Sequence, residues 1–123
     1  MATLKIRKEM IPLIRSGAKI STSRYGIRDI GLNEELIFMA AEDSSDTVKT
    51  KVTEIQHCQF NELTEEEAIA EGYSSLEKLK STLQKLYNPG EFDYFTLIKF
   101  TLCEGSINEQ SRGEESVNYV QGT

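Results

Sequence analysis

The sequence predicts one α+β domain, in which short strands form a mixed sheet that curves into a small barrel with helices against it. The length of 123 residues is close to that of a single domain with one hydrophobic core. Apolar and polar residues alternate in three segments, which is the period of a strand, a fourth segment is a short apolar run, and two segments repeat apolar residues at helical spacing. Because the helical segments lie near the start and the middle of the chain, the order of elements favours a mixed sheet.

The composition excludes several classes of protein. With 38% hydrophobic and 28% charged residues, it is typical of a globular chain. The apolar stretches are far shorter than the roughly 20 residues that cross a bilayer, and the first ten residues are charged where a secretion signal would be apolar. Cys58 and Cys103 lie far apart, and His57 beside Cys58 lacks second partners, so neither a disulfide framework nor a metal site is expected. We expect a cytoplasmic protein that uses no metal, no cofactor and no membrane.

The charge is distributed unevenly along the chain. The net charge is -6, but residues 1–30 hold seven basic and two acidic residues, a net charge of +5. Residues 31–123 hold the other seven basic residues and eighteen acidic ones, a net charge of -11. An anionic ligand is therefore expected to bind the N-terminal segment.

The first elements are a strand and a short helix. Residues 4–7 alternate as a strand does, and residues 10–14 repeat apolar side chains at helical spacing. Pro12 falls in the first turn, where its missing N–H costs least, and Gly17 is placed to end the helix. Residues 20–28 are polar and irregular, which predicts a loop or an exposed edge.

Two strands follow in the middle of the chain. Residues 36–39 form a short apolar run, and residues 48–55 alternate between β-branched and charged side chains. The acidic segment Glu42–Asp46 between them predicts a turn. Asn33 precedes the first of these strands and can adopt the left-handed conformation of a tight turn.

Two helices and a last strand complete the predicted domain. Thr64 and Glu67 have the spacing of a capping box, so a helix is predicted to start at Glu65 and to end at Gly72. Ser74 and Glu77 repeat that spacing before a second helix. Residues 88–90 predict a turn, and residues 92–102 a long strand with two partly apolar faces, which places it centrally in the sheet. The leucines predicted to form the core stripe of the second helix are Leu76, Leu79, Leu83 and Leu86.

The C-terminal segment, residues 104–123, differs in composition from the rest. It is rich in Gly, Ser, Glu, Gln and Asn and has few apolar side chains to bury. We therefore predict a domain of residues 1–103 followed by a mobile tail. Within the tail, only Val117–Val120 has the composition to dock as an added strand.

The segment with the most chemical character is residues 17–24, where the end of a helix is followed by Lys19, Thr22 and Arg24. In an extended chain, Lys19 and Thr22 would point to opposite faces, so they meet only if the chain bends. Spacing by itself also fits a solvated basic loop.

The motifs together resemble the ASCH family of PUA-like domains, in the family's order and spacing, from about Lys5 to Leu102. The resemblance implies a small, mostly antiparallel β-barrel with flanking helices, a cleft beside residues 17–24, and a nucleic-acid or nucleoside ligand. The matching motifs are Gly17-x-Lys19-x-x-Thr22-x-Arg24, residues 63–68, Glu71-Gly72-Tyr73, residues 75–79, Leu86-Tyr87 and the strand up to Phe100.

Some small bacterial ASCH proteins remove the acetyl group from N4-acetylcytidine, and the resemblance carries their Lys, Thr and Glu triad to Lys19, Thr22 and Glu71. In this reading Thr22 is the nucleophile, and Lys19 is the base, which must be neutral to act. Burial or a nearby positive charge such as Arg24 would lower the lysine pKa, whereas an ion pair with Glu71 would raise it.

Three further residues are predicted to bind the ligand: Arg24, Tyr25 and Arg28. Tyr25 beside Arg24 is able to stack on a base, although packing on the rim of the barrel would explain it equally well. The predicted partner is a modified nucleoside or single-stranded RNA. A non-catalytic RNA-binding module and a protein-interaction domain with an acidic working surface are the alternative functions.

Overall fold

A computed structural model describes residues 1–103, which form a five-stranded sheet with helices against it. In this part of the chain, no helix is long and apolar enough to span a membrane. The predicted tail, with Val117–Val120, lies outside the described residues. The strands are β1 (Ala2–Ile6), β2 (Ser21–Tyr25), β3 (Glu35–Ala40), β4 (Asp43–Gln59) and β5 (Tyr94–Leu102), the α-helices are α1 (Ile11–Ser16), α2 (Glu65–Ala70) and α3 (Leu76–Tyr87), and single 3-10 turns occur at Lys8–Met10 and Phe60–Glu62.

The sheet is mixed and curves into a half-barrel, as the sequence predicts. Its strand order is β1-β3-β4-β5-β2. Strand β1 runs parallel to β3, and the other neighbouring pairs are antiparallel. Within residues 1–103, no strand pairing joins the two edge strands β1 and β2. One side chain does connect them, because Nη1 of Arg24 on β2 donates to the carbonyl of Lys5 on β1 at 3.0 Å.

The hydrophobic core lies on both faces of the sheet. Strand β5 shows why, since Ile98 and Phe100 belong to the cluster that packs with α1, whereas Phe95 and Leu97 belong to the cluster under α2 and α3. Successive side chains of a strand point to opposite faces, so a strand that is apolar at both parities must be covered on both sides. The predicted central position of this strand is therefore confirmed.

The predicted caps are confirmed except at one helix. Oγ1 of Thr64 accepts from the backbone N–H of Glu67 at 3.2 Å, and the Glu67 carboxylate accepts from the backbone N–H of Thr64 at 2.9 Å. The prediction of Ser74 as the cap of α3 is wrong. Ser75 directly precedes the helix with an extended backbone, and its Oγ accepts from the backbone N–H of Lys78 at 3.2 Å. The cap is therefore set by which serine is adjacent to the first helical residue.

Two loop predictions are also corrected. The turn between β3 and β4 is shorter than Glu42–Asp46, because β4 already begins at Asp43. The Asp43 carboxylate accepts from the backbone N–H and the hydroxyl of Ser45, which stabilises a polar strand end beside a bulge in the register. The irregular stretch, residues 20–28, contains the edge strand β2. Its first three residues are buried, so this edge is not exposed.

Three of the four leucines in the predicted stripe of α3 pack in the hydrophobic core, and the fourth does not. Leu79 is fully buried, whereas Leu86 in the last turn is 62% exposed. Leu79→Ala should lower the free energy of unfolding by about 2–5 kcal/mol, since it leaves a cavity in the core. Leu86→Ala is the matched control and should change it by less than about 0.5 kcal/mol. Urea unfolding of both variants measures this, and equal losses would contradict the assignment.

Candidate functional site

A cleft of about 240 Å³ lies at the open side of the half-barrel, between the edge strands β1 and β2 and beneath the ends of α2 and α3. A backbone hydrogen bond brings α2 and β2 together, because the N–H of Ile20 donates to the carbonyl of Ala70 at 2.8 Å. That bond fixes the end of α2 beside the start of β2. Four of the six residues predicted for the site line this cleft: Lys19, Thr22, Arg24 and Glu71.

Lys19 is buried where the chain turns from α1 into β2. Gly17 takes a left-handed conformation with φ of +86° at the end of the helix, which turns the chain toward the sheet. The Lys19 side chain is 3% exposed, and its Nζ donates to the carbonyl of Ser21 at 2.7 Å and to the carbonyl of Glu71 at 3.0 Å. The bend required for Lys19 and Thr22 to share a site is therefore present.

The environment of Lys19 lowers its pKa to about 8. Burial has the largest effect, because it removes water from the charged form, and the positive charges of Arg24 and Arg7 act in the same direction. The negative charge of Glu71 opposes this shift without reversing it. Near neutral pH, a measurable fraction of this side chain is therefore the free amine.

Glu71 ends α2 and is also 3% exposed. Its carboxylate does not pair directly with the Lys19 ammonium. Oε1 accepts from the backbone N–H of Ser23 at 3.1 Å, and Oε2 accepts from the hydroxyl of the same serine. Burial raises the pKa of Glu71, and the nearby Lys19 and the bonds from Ser23 oppose that rise. The carboxylate thus acts on Lys19 through space, while it holds β2 in place through Ser23.

Thr22 is buried on β2, opposite Ile98 of β5, and lines the cleft. Its hydroxyl has no hydrogen-bond partner among the described residues, so it is available to a ligand. No hydrogen bond joins it to the Lys19 amine in this structure, and in an unliganded site catalytic hydrogen bonds are often long and close only around the substrate. A threonine hydroxyl, an amine of lowered pKa and a buried carboxylate therefore share one cleft.

The three residues predicted to bind the ligand have different positions. Arg24 is half-buried and lines the cleft, and burial lowers its pKa. Tyr25 lies beside the cleft, where its ring stacks on that of Tyr87 with centroids 5.4 Å apart. Arg28 does not line the cleft, and its Nε donates to the carbonyl of Tyr25 at 3.0 Å. The predicted ligand roles of all three are not tested by these contacts.

Three of the lining residues that sequence reasoning missed, Arg7, Tyr73 and Tyr87, carry polar or aromatic groups into the cleft. Arg7 follows β1 and donates from Nη2 to the hydroxyl of Tyr73 at 3.2 Å across the cleft, and Tyr87 at the end of α3 supplies a second aromatic side chain. Both tyrosines lie within the motifs that carry the family resemblance, so a signal existed. Arg7 had none beyond its charge, because nothing local indicates that the end of β1 meets β2. Within residues 1–103, no group of three or more His, Cys, Asp or Glu side chains is arranged to hold a metal ion.

Comparison with known proteins identifies the architecture. No protein-family model matches the sequence, and no curated protein matches it significantly. Among solved structures, an ASCH domain from Lactobacillus crispatus has a TM-score of 0.72 at 14% identity and covers 82% of this chain and 78% of its own. The ASCH protein of Zymomonas mobilis has a TM-score of 0.61 at 17% identity, with 80% and 64% covered. A protein of Enterococcus faecalis has a TM-score of 0.61 at 14% identity, with 81% and 74% covered.

These similarities agree with the strand order and the helix positions described above. Identities this low establish the arrangement of the backbone and say nothing of substrate. The chain therefore has the ASCH-domain fold, an α+β fold of the PUA-like type, as the sequence motifs predict.

Proposed function

We propose that this protein is an amidohydrolase that removes the acyl group from N4-acetylcytidine or a similar acylated cytidine. The observation that carries the proposal is the buried Lys19, with a pKa lowered to about 8, in one cleft with the unpartnered hydroxyl of Thr22. Amide hydrolysis needs a nucleophile and a base that is neutral near the working pH. The resemblance of the motifs to acetylcytidine-hydrolysing ASCH proteins supports the substrate class.

In the first step, Oγ1 of Thr22 attacks the carbonyl carbon of the acyl group, and its proton passes to the neutral amine of Lys19. The tetrahedral intermediate carries a negative oxygen, which the resulting ammonium of Lys19 stabilises. The C–N bond then breaks, and the lysine returns the proton to the leaving amino group of cytidine. The acyl group remains as an ester on Thr22.

In the second step, water hydrolyses that ester. The neutral Lys19 accepts a proton from the attacking water, the C–O bond to Thr22 breaks, and the threonine oxygen takes the proton back. One water is consumed, and the products are cytidine and acetic acid, which ionises to acetate and a proton. Glu71 contributes as a positioning residue, because its carboxylate holds Ser23 and thereby the backbone of β2 directly after Thr22.

The walls of the cleft suit a planar base. Tyr73 and Tyr87 line it, together with apolar side chains that include Leu86. Aromatic rings stack on bases of any sequence, so they would hold the pyrimidine without fixing its identity. The exposed position of Leu86 is then explained as part of the ligand site.

The decisive test is incubation of the purified chain with N4-acetylcytidine, with release of cytidine followed by chromatography. We expect turnover that depends on the amount of protein. If the protein is inert on N4-acetylcytidine and on a panel of other acylated cytidines, the proposed activity is wrong.

A non-catalytic RNA-binding module is the competing function, and the stacked pair of Tyr25 and Tyr87 beside the basic cleft favours it.

The salt dependence of RNA binding distinguishes the RNA-binding module from the amidohydrolase. A module that contacts three or four phosphates of single-stranded RNA should bind more weakly as salt is added. A plot of the logarithm of its binding constant against the logarithm of the salt concentration should have a slope of roughly -2 to -3. We expect a shallow slope, because residues 31–123 carry a net charge of -11 that repels a long polyanion. A steep slope for the wild-type protein, lost in the double variant Arg24→Ala with Arg28→Ala, would favour the RNA-binding function.

A further inference from the structure

The mouth of the cleft carries more positive charge than hydrolysis of an uncharged nucleoside requires. Four basic residues and one acidic residue line the cleft, although the whole chain has a net charge of -6. The acidic residue is Glu71, and both of its carboxylate oxygens already accept bonds from Ser23. The basic lining residues are Lys5, Arg7, Lys19 and Arg24.

These charges are arranged by depth. Lys19 and Glu71 are almost completely buried, Arg24 is half-buried, and Lys5 and Arg7 are exposed at the rim. A ligand whose acyl group reaches Lys19 therefore has its opposite end beside Lys5 and Arg7. That end of the ligand meets positive charge at the cleft mouth.

The two guanidinium groups retain donors for a ligand. Among the described residues, Arg24 makes a single side-chain hydrogen bond, from Nη1 to the carbonyl of Lys5, and its buried Nε has no partner. Arg7 donates from Nη2 to Tyr73, while its Nη1 lies 3.4 Å from the carboxylate of Glu9 on the surface. An exposed ion pair of this kind contributes little, so an anion of higher charge can displace Glu9. A guanidinium matches the geometry of phosphate oxygens with paired N–H donors.

We propose that Arg7, Arg24 and Lys5 form an anion subsite for the phosphate of a cytidine nucleotide, so that the ligand of the cleft is a nucleoside monophosphate. This inference rests on the proposed function, since it defines the substrate class of the same site. The volume of about 240 Å³ is below the roughly 300–1,000 Å³ of sites that enclose a drug-sized ligand. It accommodates the base with its acyl group and leaves the sugar phosphate at the mouth. The net charge of -11 on residues 31–123 favours a single phosphate over a long polyanion.

Calorimetric titration of the full chain with cytidine and with cytidine 5′-monophosphate tests the subsite. The monophosphate should bind about tenfold more tightly at low salt, and added salt should narrow the difference. The double variant Arg7→Gln with Lys5→Gln should reduce the ratio of the affinity for the monophosphate to the affinity for cytidine to about two. Glu9→Gln should raise the affinity for the monophosphate about twofold, because it removes the competing carboxylate.

The matched control is Lys8→Gln, which removes one positive charge from the same segment. Nζ of Lys8 lies 3.5 Å from the carboxylate of Asp43, and Lys8 does not line the cleft, so the ratio should not change. The subsite would be overturned if the protein bound both ligands equally well or bound neither at millimolar concentration. It would also be overturned if Lys8→Gln lowered the ratio of the two affinities as much as the double variant does.

The subsite and the hydrolase fail in different ways. Hydrolysis of uncharged N4-acetylcytidine without a preference for the monophosphate refutes only the anion subsite. Tighter binding of the monophosphate by a protein that hydrolyses no acylated cytidine refutes only the amidohydrolase.

Discussion

Lys19→Met should lower kcat/KM for N4-acetylcytidine by about 10²- to 10⁴-fold, the usual contribution of a general base. Methionine keeps the unbranched apolar stem and loses the amine that would take the proton from Thr22. Because Lys19 is buried just before the start of β2, the variant must also be shown to fold, by circular dichroism and thermal unfolding. A folded variant with wild-type activity would exclude Lys19 as the base.

Matched changes at Thr22 separate the nucleophile from the fold. Thr22→Val keeps the shape and removes the hydroxyl, and it should lose activity to a similar degree. Thr22→Ser retains a hydroxyl and should retain part of the activity. If the valine and serine variants were equally active, no ester on this side chain would form.

The pH profile of hydrolysis by the wild-type protein provides a test independent of substitution. Since the base must be neutral and the pKa of Lys19 is lowered to about 8, kcat/KM should rise with pH and level off above about pH 8. An ordinary lysine, with the usual value of 10.5, would still be gaining activity at pH 9 to 10. A rate that does not change between pH 6.5 and pH 9 would contradict the assigned base.

Glu71→Ala should cause the largest loss of stability among the site variants, about 3 kcal/mol, which corresponds to a fall in Tm of roughly 10 °C or more. The variant leaves the backbone N–H and the hydroxyl of Ser23 without their buried acceptor, and it removes the negative charge that partly offsets the Lys19 ammonium. Thermal unfolding measures the effect, and Glu66→Ala, on the exposed face of the same helix, is the control.

Glu71→Gln distinguishes a positioning role from a purely structural one. The amide keeps the shape and an acceptor for Ser23, so the loss of stability should be smaller than for the alanine variant. Because the carboxylate charge raises the pKa of Lys19, its removal should shift the midpoint of the pH profile to lower pH. A variant that loses activity with an unchanged midpoint would show that the Glu71 charge does not act on Lys19.

Local signals in the sequence located most of the elements. The capping box of Thr64 and Glu67 and the left-handed Asn33, with φ of 66°, depend on residues within a few positions of each other. For that reason they could be predicted without the fold. The two-sided apolar pattern of residues 92–102 likewise located the central strand, which begins at Tyr94.

Local signals failed where a distant part of the chain decided the outcome. Residues 20–28 are polar and predict a loop or an exposed edge, yet they contain the edge strand β2, whose first three residues are buried. The Glu71 carboxylate accepts from the backbone N–H and the hydroxyl of Ser23, and the carbonyl of Ala70 accepts from the N–H of Ile20 just before the strand. Leu86 fits the helical stripe but is exposed and lines the cleft, whereas its neighbour Tyr87 packs against Tyr25 and Phe95 of the sheet.

For the candidate site, the sequence by itself determined the residue types: a lysine, a threonine and an arginine within six positions, and a glutamate at the end of an acidic helix. Only the tertiary structure decided their chemistry. Burial from all sides lowers the pKa of Lys19, and the carboxylate of Glu71 binds Ser23 in place of the ammonium, which removes the direct ion pair that would have kept the lysine charged. Such effects depend on how many groups exclude water from an amine and on which donors lie within hydrogen-bond reach, and these are properties of the packed chain.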